Sequence, residues 1–242
     1  MKALGDTHYI LGMEIDYNRA KGELCLCQTQ YITCMLERFG QMESFAARNP
    51  NVVGQDLRPQ ADAAPLSSTK PYRKLVASLL YVANCTRPDI SVSIGMLSQY
   101  LDKAQDLHWH ATILVLRYLK CTPKMALVFK LGPSKNVAVA AFGDANWGGD
   151  IAARRSTSGV LVLMDGARVI FKSKRQSSVA LSAAEAEYMA LALTTQELEW
   201  LHLLLDEIDM QVARPMLIKV ENQVAISIAH YCGYTPRANT SI

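Results

Sequence analysis

Three acidic residues stand where one α/β layer could bring them together: Asp144 after the apolar run Val137–Phe142, Glu187 early in a long amphipathic segment, and Glu221 after the short run Met216–Val220. Strand ends and helix starts meet at one rim of such a layer, so acids far apart in sequence can share a site. Gathered carboxylates repel one another, and a hard divalent cation with oxygen ligands is the usual compensation. Two such ions roughly 3.5–4 Å apart can activate a water and stabilise the departing oxygen of a phosphodiester. Taken singly, each acid has a plainer reading as a helix cap or a solvated charge.

The elements that must position these acids follow from the pattern around them. Val137–Phe142 is nearly continuous in apolar residues and ends at Gly143-Asp144-Ala145-Asn146-Trp147, which predicts a strand buried on both faces in the middle of a sheet. Gly159–Met164, the turn Asp165-Gly166 and Arg168–Lys172 predict a hairpin. Ser182–Ile208 is the longest amphipathic segment, and Ser182 with Glu185 three residues on predicts a capping box. A strand at Met216–Val220 and a helix at Asn222–Ala229 complete an α/β layer.

The N-terminal part reads differently. His8–Asp16 and Leu24–Gln28, separated by turn residues Asn18–Gly22, predict a β-hairpin, and Gln30–Phe39 a short helix. Residues 43–71 lack periodicity and hold Pro50, Gly54, Pro59, Pro65 and Pro71, a linker or extended surface segment. Helices are expected at Tyr72–Ala83, from Thr86-Arg87-Pro88-Asp89 through Leu101, and at Leu107–Leu119. Cys25 and Cys27 share a strand face but have no second Cys/His pair at zinc spacing, and His108 and His110 do not face each other on a helix. Both groups are read as structural.

The chain has 242 residues, half of them hydrophobic and 19% charged, which excludes a disordered chain and allows one large domain or two small ones. No apolar run approaches the ~18 residues of a membrane span, no secretory signal is visible at Met1, and the six cysteines follow no framework spacing. The expectation is an intracellular protein with reduced thiols and no membrane partner. Residues 1–136 hold 16 Lys or Arg against 11 Asp or Glu, and residues 137–242 hold 9 against 11, so a basic half precedes a slightly acidic one. These halves are taken as the two domains.

Four ordered blocks carry a resemblance: Phe142-Gly143-Asp144-Ala145-Asn146-Trp147-Gly148-Gly149-Asp150; Arg154-Arg155-Ser156-Thr157-Ser158-Gly159; Ser173-Lys174-Arg175-Gln176; and Val179–Leu191 with its phrase Glu187-Tyr188-Met189-Ala190. Together they resemble the ribonuclease H domain of copia-type LTR retrotransposon Pol polyproteins. Upstream, Ala3–Asp6 with Tyr9–Ile15 resembles the segment just after the polymerase palm of the same polyproteins, and Tyr72–Tyr81, Thr86–Ile90, His108-Trp109 and Leu116–Lys120 resemble their reverse transcriptase thumb and connection region. The resemblance implies a ribonuclease H-like mixed sheet with helices in 137–242, preceded by a hairpin and an α-rich connection region in 1–136. It implies cleavage of the RNA strand of an RNA/DNA hybrid with two Mg²⁺ ions, Mn²⁺ being a possible substitute. Asp144, Glu187 and Glu221 would be both catalytic and metal-binding, with Glu185 left to capping. Arg154, Arg155, Ser156, Thr157, Lys172, Lys174 and Arg175 would contact the nucleic acid backbone, and Trp147 would pack on sugar or base. The remaining partner would be the rest of a Pol polyprotein, palm and fingers included, in a cytoplasmic particle or the nucleus.

The sequence also departs from that family. Glu221-Asn222-Gln223 stands where the family has Asp, and one extra methylene displaces the carboxylate by on the order of 1 Å. Pro236–Ile242 lacks the family's final His and Asp, so the last strand and helix of the ribonuclease H fold are expected to be missing. No adjacent aspartate pair precedes Met1-Lys2-Ala3, so polymerase activity is not expected of this chain. Two functional expectations follow: a ribonuclease H fragment, or a catalytically inactive transposon remnant that still binds nucleic acid.

Overall fold

A computed structural model describes residues 6–50, 55–130, 136–150 and 153–231. The chain divides into two compact units, Met1–Val128 and Phe129–Ile242, a division earlier than the change of composition at 136. The segment Pro236–Ile242 lies outside the described residues. Among the described residues no helix is long and apolar enough to cross a membrane.

The first unit opens with β1 (Tyr9–Ile10), β2 (Met13–Asn18) and β3 (Glu23–Cys27), joined to β4 (Leu127–Lys130) in the order β1-β2-β3-β4. The single strand expected over His8–Asp16 is broken, because Leu11 and Gly12 both take positive φ, 48° and 72°, between the paired residues Ile10 and Met13. Two left-handed residues in a two-residue loop make a hairpin turn whose twist matches its strands. Then come α1 (Thr29–Arg38), α2 (Tyr72–Cys85), α3 (Ser91–Leu97) and α4 (Asp106–Cys121). The helix expected from Thr86 to Leu101 is instead α3 flanked by 3₁₀ turns at Pro88–Ile90 and Ser98–Tyr100. Leu75, Leu79, Ile94, Leu97 and Leu116 are fully buried where these helices pack. His108 is also buried. Gln105 N–H donates to its Nδ1 at 2.9 Å, its Nε2 bonds the Leu57 carbonyl at 2.8 Å, and Tyr100 stacks on its ring. Burial pushes its pKa down despite these bonds, so it is a neutral structural imidazole.

Described residues of the 43–71 stretch form no helix or strand, yet they are held in place by α4 and the turn before it. Lys120 Nζ donates to the Met42 and Ser44 carbonyls and Arg117 Nε to that of Phe45. Gln105 Nε2 reaches the carbonyls of Gln60 and Ala63 at 2.8 and 3.2 Å. The stretch is thus an anchored extended segment and not a free linker.

The second unit is a mixed sheet of β5 (Val139–Asn146), β6 (Thr157–Met164), β7 (Ala167–Arg175) and β8 (Leu217–Lys219), in the order β7-β6-β5-β8. It is antiparallel except for the β5–β8 pair. The turn at Asp165-Gly166 has φ of 49° and 81°, as an Asp-Gly hairpin requires. α5 (Ala183–Glu207) packs on β5 and β6, and α6 (Gln223–His230) on α5. One face of β5 is buried at Val139, Ala141 and Gly143, while Ala140 and Phe142 on the other are only half-buried, so the expected two-sided burial holds for one side. The reason is visible in the layering: helix α5 covers the first face, together with Val160, Val162, Leu198 and Leu201 of the core.

Candidate functional site

Asp144 lies near the C-terminal end of β5, and Glu221 follows β8. Because β8 runs parallel to β5 with Lys219 opposite Phe142, Asp144 and Glu221 occupy equivalent places, two residues beyond that pair, at one rim of the sheet. Glu187 comes to this rim from α5. Ser182 caps that helix, its hydroxyl accepting from Glu185 N–H at 3.1 Å, and Glu185 accepts from Leu181 N–H at 2.7 Å. The reciprocal bond reaches one residue further back than in the expected capping box. Glu185 is therefore spent on the helix start, and Glu187 is left for the rim.

What brings Glu187 to Asp144 is the closeness of α5 to β5. The buried stripe of α5 begins with small side chains, Ala186, Ala190 and Thr194, and continues with Leu198, Leu201 and Leu205. Small residues at the N-terminal end let the helix approach the strand. At Gly143 a Cβ would lie 2.7 Å from Thr194 Oγ1 and 3.6 Å from the Ala190 carbonyl, so only glycine fits there without displacement. Gly143→Ala is expected to cost about 1–3 kcal/mol by overpacking. Thr194→Ala in the same chain should recover most of it, since the Thr194 hydroxyl bonds only its own helix, at the Ala190 carbonyl. Thermal unfolding of the two variants checks this; a Gly143→Ala chain as stable as wild type would show that α5 is not held so close.

The electrostatics of the rim follow from this packing. Burial pushes the Glu187 carboxyl above its ordinary range, and the adjacent Asp144 carboxylate, a hydrogen bond between the two and the charge of Glu221 push the same way. A hydrogen bond from the Ala145 backbone opposes them. Glu187 Oε2 is buried with no hydrogen-bond partner. An orphaned carboxylate oxygen beside a second carboxylate is a hard-oxygen donor set, which fits a divalent cation. Asp144 and Glu187 are the residues that could hold one. Glu221 is exposed, and among the described residues no group of three or more His, Cys, Asp or Glu is gathered so as to hold a metal ion. Charge acts over longer distances than coordination, and that of Glu221 is felt at Glu187.

The basic residues are divided in the same way. Arg154 and Lys174 are exposed and Arg155 is half-buried, and none of the three is in an ion pair among the described residues. Lys172 is paired with Glu197 at 2.5 Å and Arg175 with Asp150 at 2.8 Å. Thr157 begins β6, half-buried opposite Arg175. Ser156 corrects the expectation of a phosphate contact: it is 0% exposed, and its hydroxyl accepts from Gly148 N–H at 3.1 Å, holding the turn after Asn146. Trp147 is 55% exposed with its indole N–H donated to the Ala180 carbonyl at 3.1 Å, so the ring is fixed yet open to solvent.

Sequence reasoning gave no role to Gly143 or Gln176. A glycine inside a strand directly before an acidic residue was a usable signal for the first. The second closes the resembling block Ser173-Lys174-Arg175-Gln176, but nothing local shows that its bonds reach β6 and α5.

No family model matches the chain and no solved structure matches it. Known proteins do. The Retrovirus-related Pol polyprotein from transposon TNT 1-94 of Nicotiana tabacum is 36% identical over 197 residues, 78% of this chain and 14% of that protein. The Retrovirus-related Pol polyprotein from transposon RE1 of Arabidopsis thaliana is 33% identical over 217 residues, 90% of this chain and 14% of that protein. The Uncharacterized mitochondrial protein AtMg00810 of Arabidopsis thaliana is 32% identical over 192 residues, with 79% of this chain and 77% of that protein covered. The chain therefore spans about one seventh of the two Pol polyproteins and most of a much shorter relative.

Proposed function

We propose, from its 33–36% identity to retrovirus-related Pol polyproteins of transposons over 77–90% of its own length, that this chain is a fragment of such a Pol and corresponds to the thumb and connection region and the ribonuclease H region of a copia-type one. On this reading the second unit hydrolyses the RNA strand of an RNA/DNA hybrid. The observation that carries the reading is the Asp144–Glu187 contact, with an unpartnered buried oxygen on Glu187 and its carboxyl held above the usual range. Asp144 and Glu187 would hold Mg²⁺, or Mn²⁺ in its place, with Glu221 adding negative charge from the rim. A divalent ion held by these carboxylates would supply polarisation of the scissile phosphate and acidification of the attacking water.

The other residues act on the substrate. Arg154, Arg155 and Lys174 attract the backbone of the duplex, a salt-dependent contribution that carries no sequence information. Trp147 offers a fixed aromatic face to a sugar or base. Lys172 and Arg175 contribute less on this reading, since Glu197 and Asp150 already neutralise them. The rest of a Pol polyprotein is the proposed partner.

An end-labelled RNA/DNA hybrid incubated with the chain and Mg²⁺ tests the reading, with RNA/RNA and DNA/DNA duplexes beside it and Asp144→Asn as control. The expected result is cutting of the RNA strand of the hybrid alone, lost in the variant. Equal background from wild type and variant would overturn it. A second reading, duplex binding without cleavage, is favoured by the exposed position of Glu221 outside any three-acid cluster. It predicts salt-sensitive binding of the same hybrid with no product at any Mg²⁺ concentration.

A further inference from the structure

Gln176 follows β7 directly and is 6% exposed. Its backbone N–H donates to the Ser156 carbonyl at 2.8 Å, which fixes where the chain leaves the sheet. Its side-chain Nε2 donates to Ser158 Oγ on β6 at 2.9 Å and to the Ala186 carbonyl on α5 at 3.0 Å. Ala186 is the residue before Glu187. Ser158 is paired across the sheet with Ala145, the residue after Asp144 and the one whose backbone hydrogen-bonds Glu187. One carboxamide therefore joins the backbone carbonyl beside Glu187 to the hydroxyl of the β6 residue paired with Ala145, next to Asp144.

The orientation of this amide is set by its surroundings. The Ala186 carbonyl can only accept, so the nitrogen must face it, and Gln176 Oε1 is buried with no partner. A buried polar atom left unmatched is a cost the fold carries. Its counterpart is a pair of donor bonds that hold the first turns of α5 against the sheet, at the end where Gly143 already allows close approach.

We propose that Gln176 is a positioning residue for the carboxylate pair, its Nε2 setting the separation of Asp144 and Glu187 by joining β6 to the start of α5. The consequence for catalysis rests on the ribonuclease reading; the consequence for ion binding does not.

The test uses the full chain with Gln176→Met, which keeps length and volume but removes both donors, and Gln176→Glu, which sets a carboxylate oxygen against the Ala186 carbonyl. Ser158→Ala removes one acceptor of the pair and serves as a milder variant that keeps the fold. Cleavage of the labelled hybrid is measured as kcat and KM, and affinity for Mn²⁺ is measured separately by water-proton relaxation. Gln176→Met is expected to lower kcat about tenfold with KM within about twofold, and to weaken Mn²⁺ binding about tenfold, the size of effect typical of groups that orient metal ligands. Gln176→Glu should lose about 100-fold in kcat, and Ser158→Ala a few-fold.

Folded variants that keep both wild-type kcat and wild-type Mn²⁺ affinity would overturn the proposal, as would a rise in KM alone. A wild-type chain that binds Mn²⁺ without cleaving would sink the ribonuclease reading while the Mn²⁺ series still decides on Gln176. A wild-type chain that binds no Mn²⁺ and cuts nothing would overturn both.

Discussion

Glu187→Gln is expected, on the ribonuclease reading, to lower hybrid cleavage by on the order of 10²-fold or more, and at the same time to raise the unfolding temperature at pH 7. The stability gain follows from the direction in which the carboxyl is shifted. Burial and the neighbouring Asp144 raise the Glu187 pKa in the folded chain above its ordinary value of 4.5. The folded state thus binds this proton more tightly than the unfolded state does. The stabilisation from that proton is complete below the unfolded pKa and is lost as pH rises through the folded one. Wild type loses it as pH rises, and the glutamine chain never carries the charge. The gap is small, since the side chain is only half-buried and solvent screens it. Unfolding curves at pH 4 and pH 7 give the answer: the two chains should melt together at the lower pH and apart at the higher. Added Mg²⁺ should then stabilise wild type and leave the glutamine chain where it was. A glutamine chain less stable than wild type at pH 7 would mean that the ionised carboxylate has partners other than those described.

The larger effect on folding is expected at Arg87. This guanidinium is 0% exposed, and its donors are directed at named acceptors: Nε and Nη2 to the two Asp89 oxygens at 3.0 and 2.7 Å, Nη1 to the Thr122 carbonyl at 2.7 Å, and Nη2 also to Thr122 Oγ1 at 2.7 Å. The Tyr118 ring lies under it at 5.3 Å, and the Tyr118 hydroxyl donates to Asp89 at 2.8 Å. The group ties the turn after α2 to the last turn of α4. Burial alone would push the Asp89 carboxyl up, but the Arg87 hydrogen bonds and charge, with the Tyr118 hydroxyl, outweigh it and hold the pKa below the usual range. Removing one partner of such a pair strands the other, so Arg87→Ala should cost about 3–5 kcal/mol. Arg87→Lys should not rescue it, because an ammonium cannot supply the planar fork. Arg87→Met combined with Asp89→Asn, which removes both charges, should be more stable than Arg87→Ala. Hydrogen exchange across residues 86–122 locates the loss. An Arg87→Ala chain with unchanged protection there would refute this account.

Much of the second unit was legible because its signals are local. Asp165-Gly166 prescribes its own turn, Ser182 its own cap, and the length of the apolar stripe after Ser182 its helix. Asp144 stands out as an acid at a strand end, whereas Glu187 is singled out from Glu185 only by the resembling phrase Glu187-Tyr188-Met189-Ala190. What escaped is what depends on partners distant in sequence. Nothing local shows that Lys172 meets Glu197, that Ser156 turns inward to Gly148, or that Gln176 spans two elements. In the first unit the break at Leu11 went unseen because leucine is not a residue that invites positive φ. Thr86-Arg87-Pro88-Asp89 carries the local signal of a helix start, and nothing in it shows that the Arg87 side chain is the centre of a buried network.

The anchored stretch before α2 has a consequence for how such chains diverge. Lys120, Arg117, Gln105, His108 and Ser93 hold it through the main-chain carbonyls of Met42, Ser44, Phe45, Pro50, Leu57, Gln60 and Ala63. Every residue has a carbonyl, so the path of the stretch is encoded in the grasping side chains and scarcely in the residues grasped. A library that randomises positions 43–49 and 58–64 should return mostly folded chains. One that randomises Gln105, His108, Arg117 and Lys120 should return few.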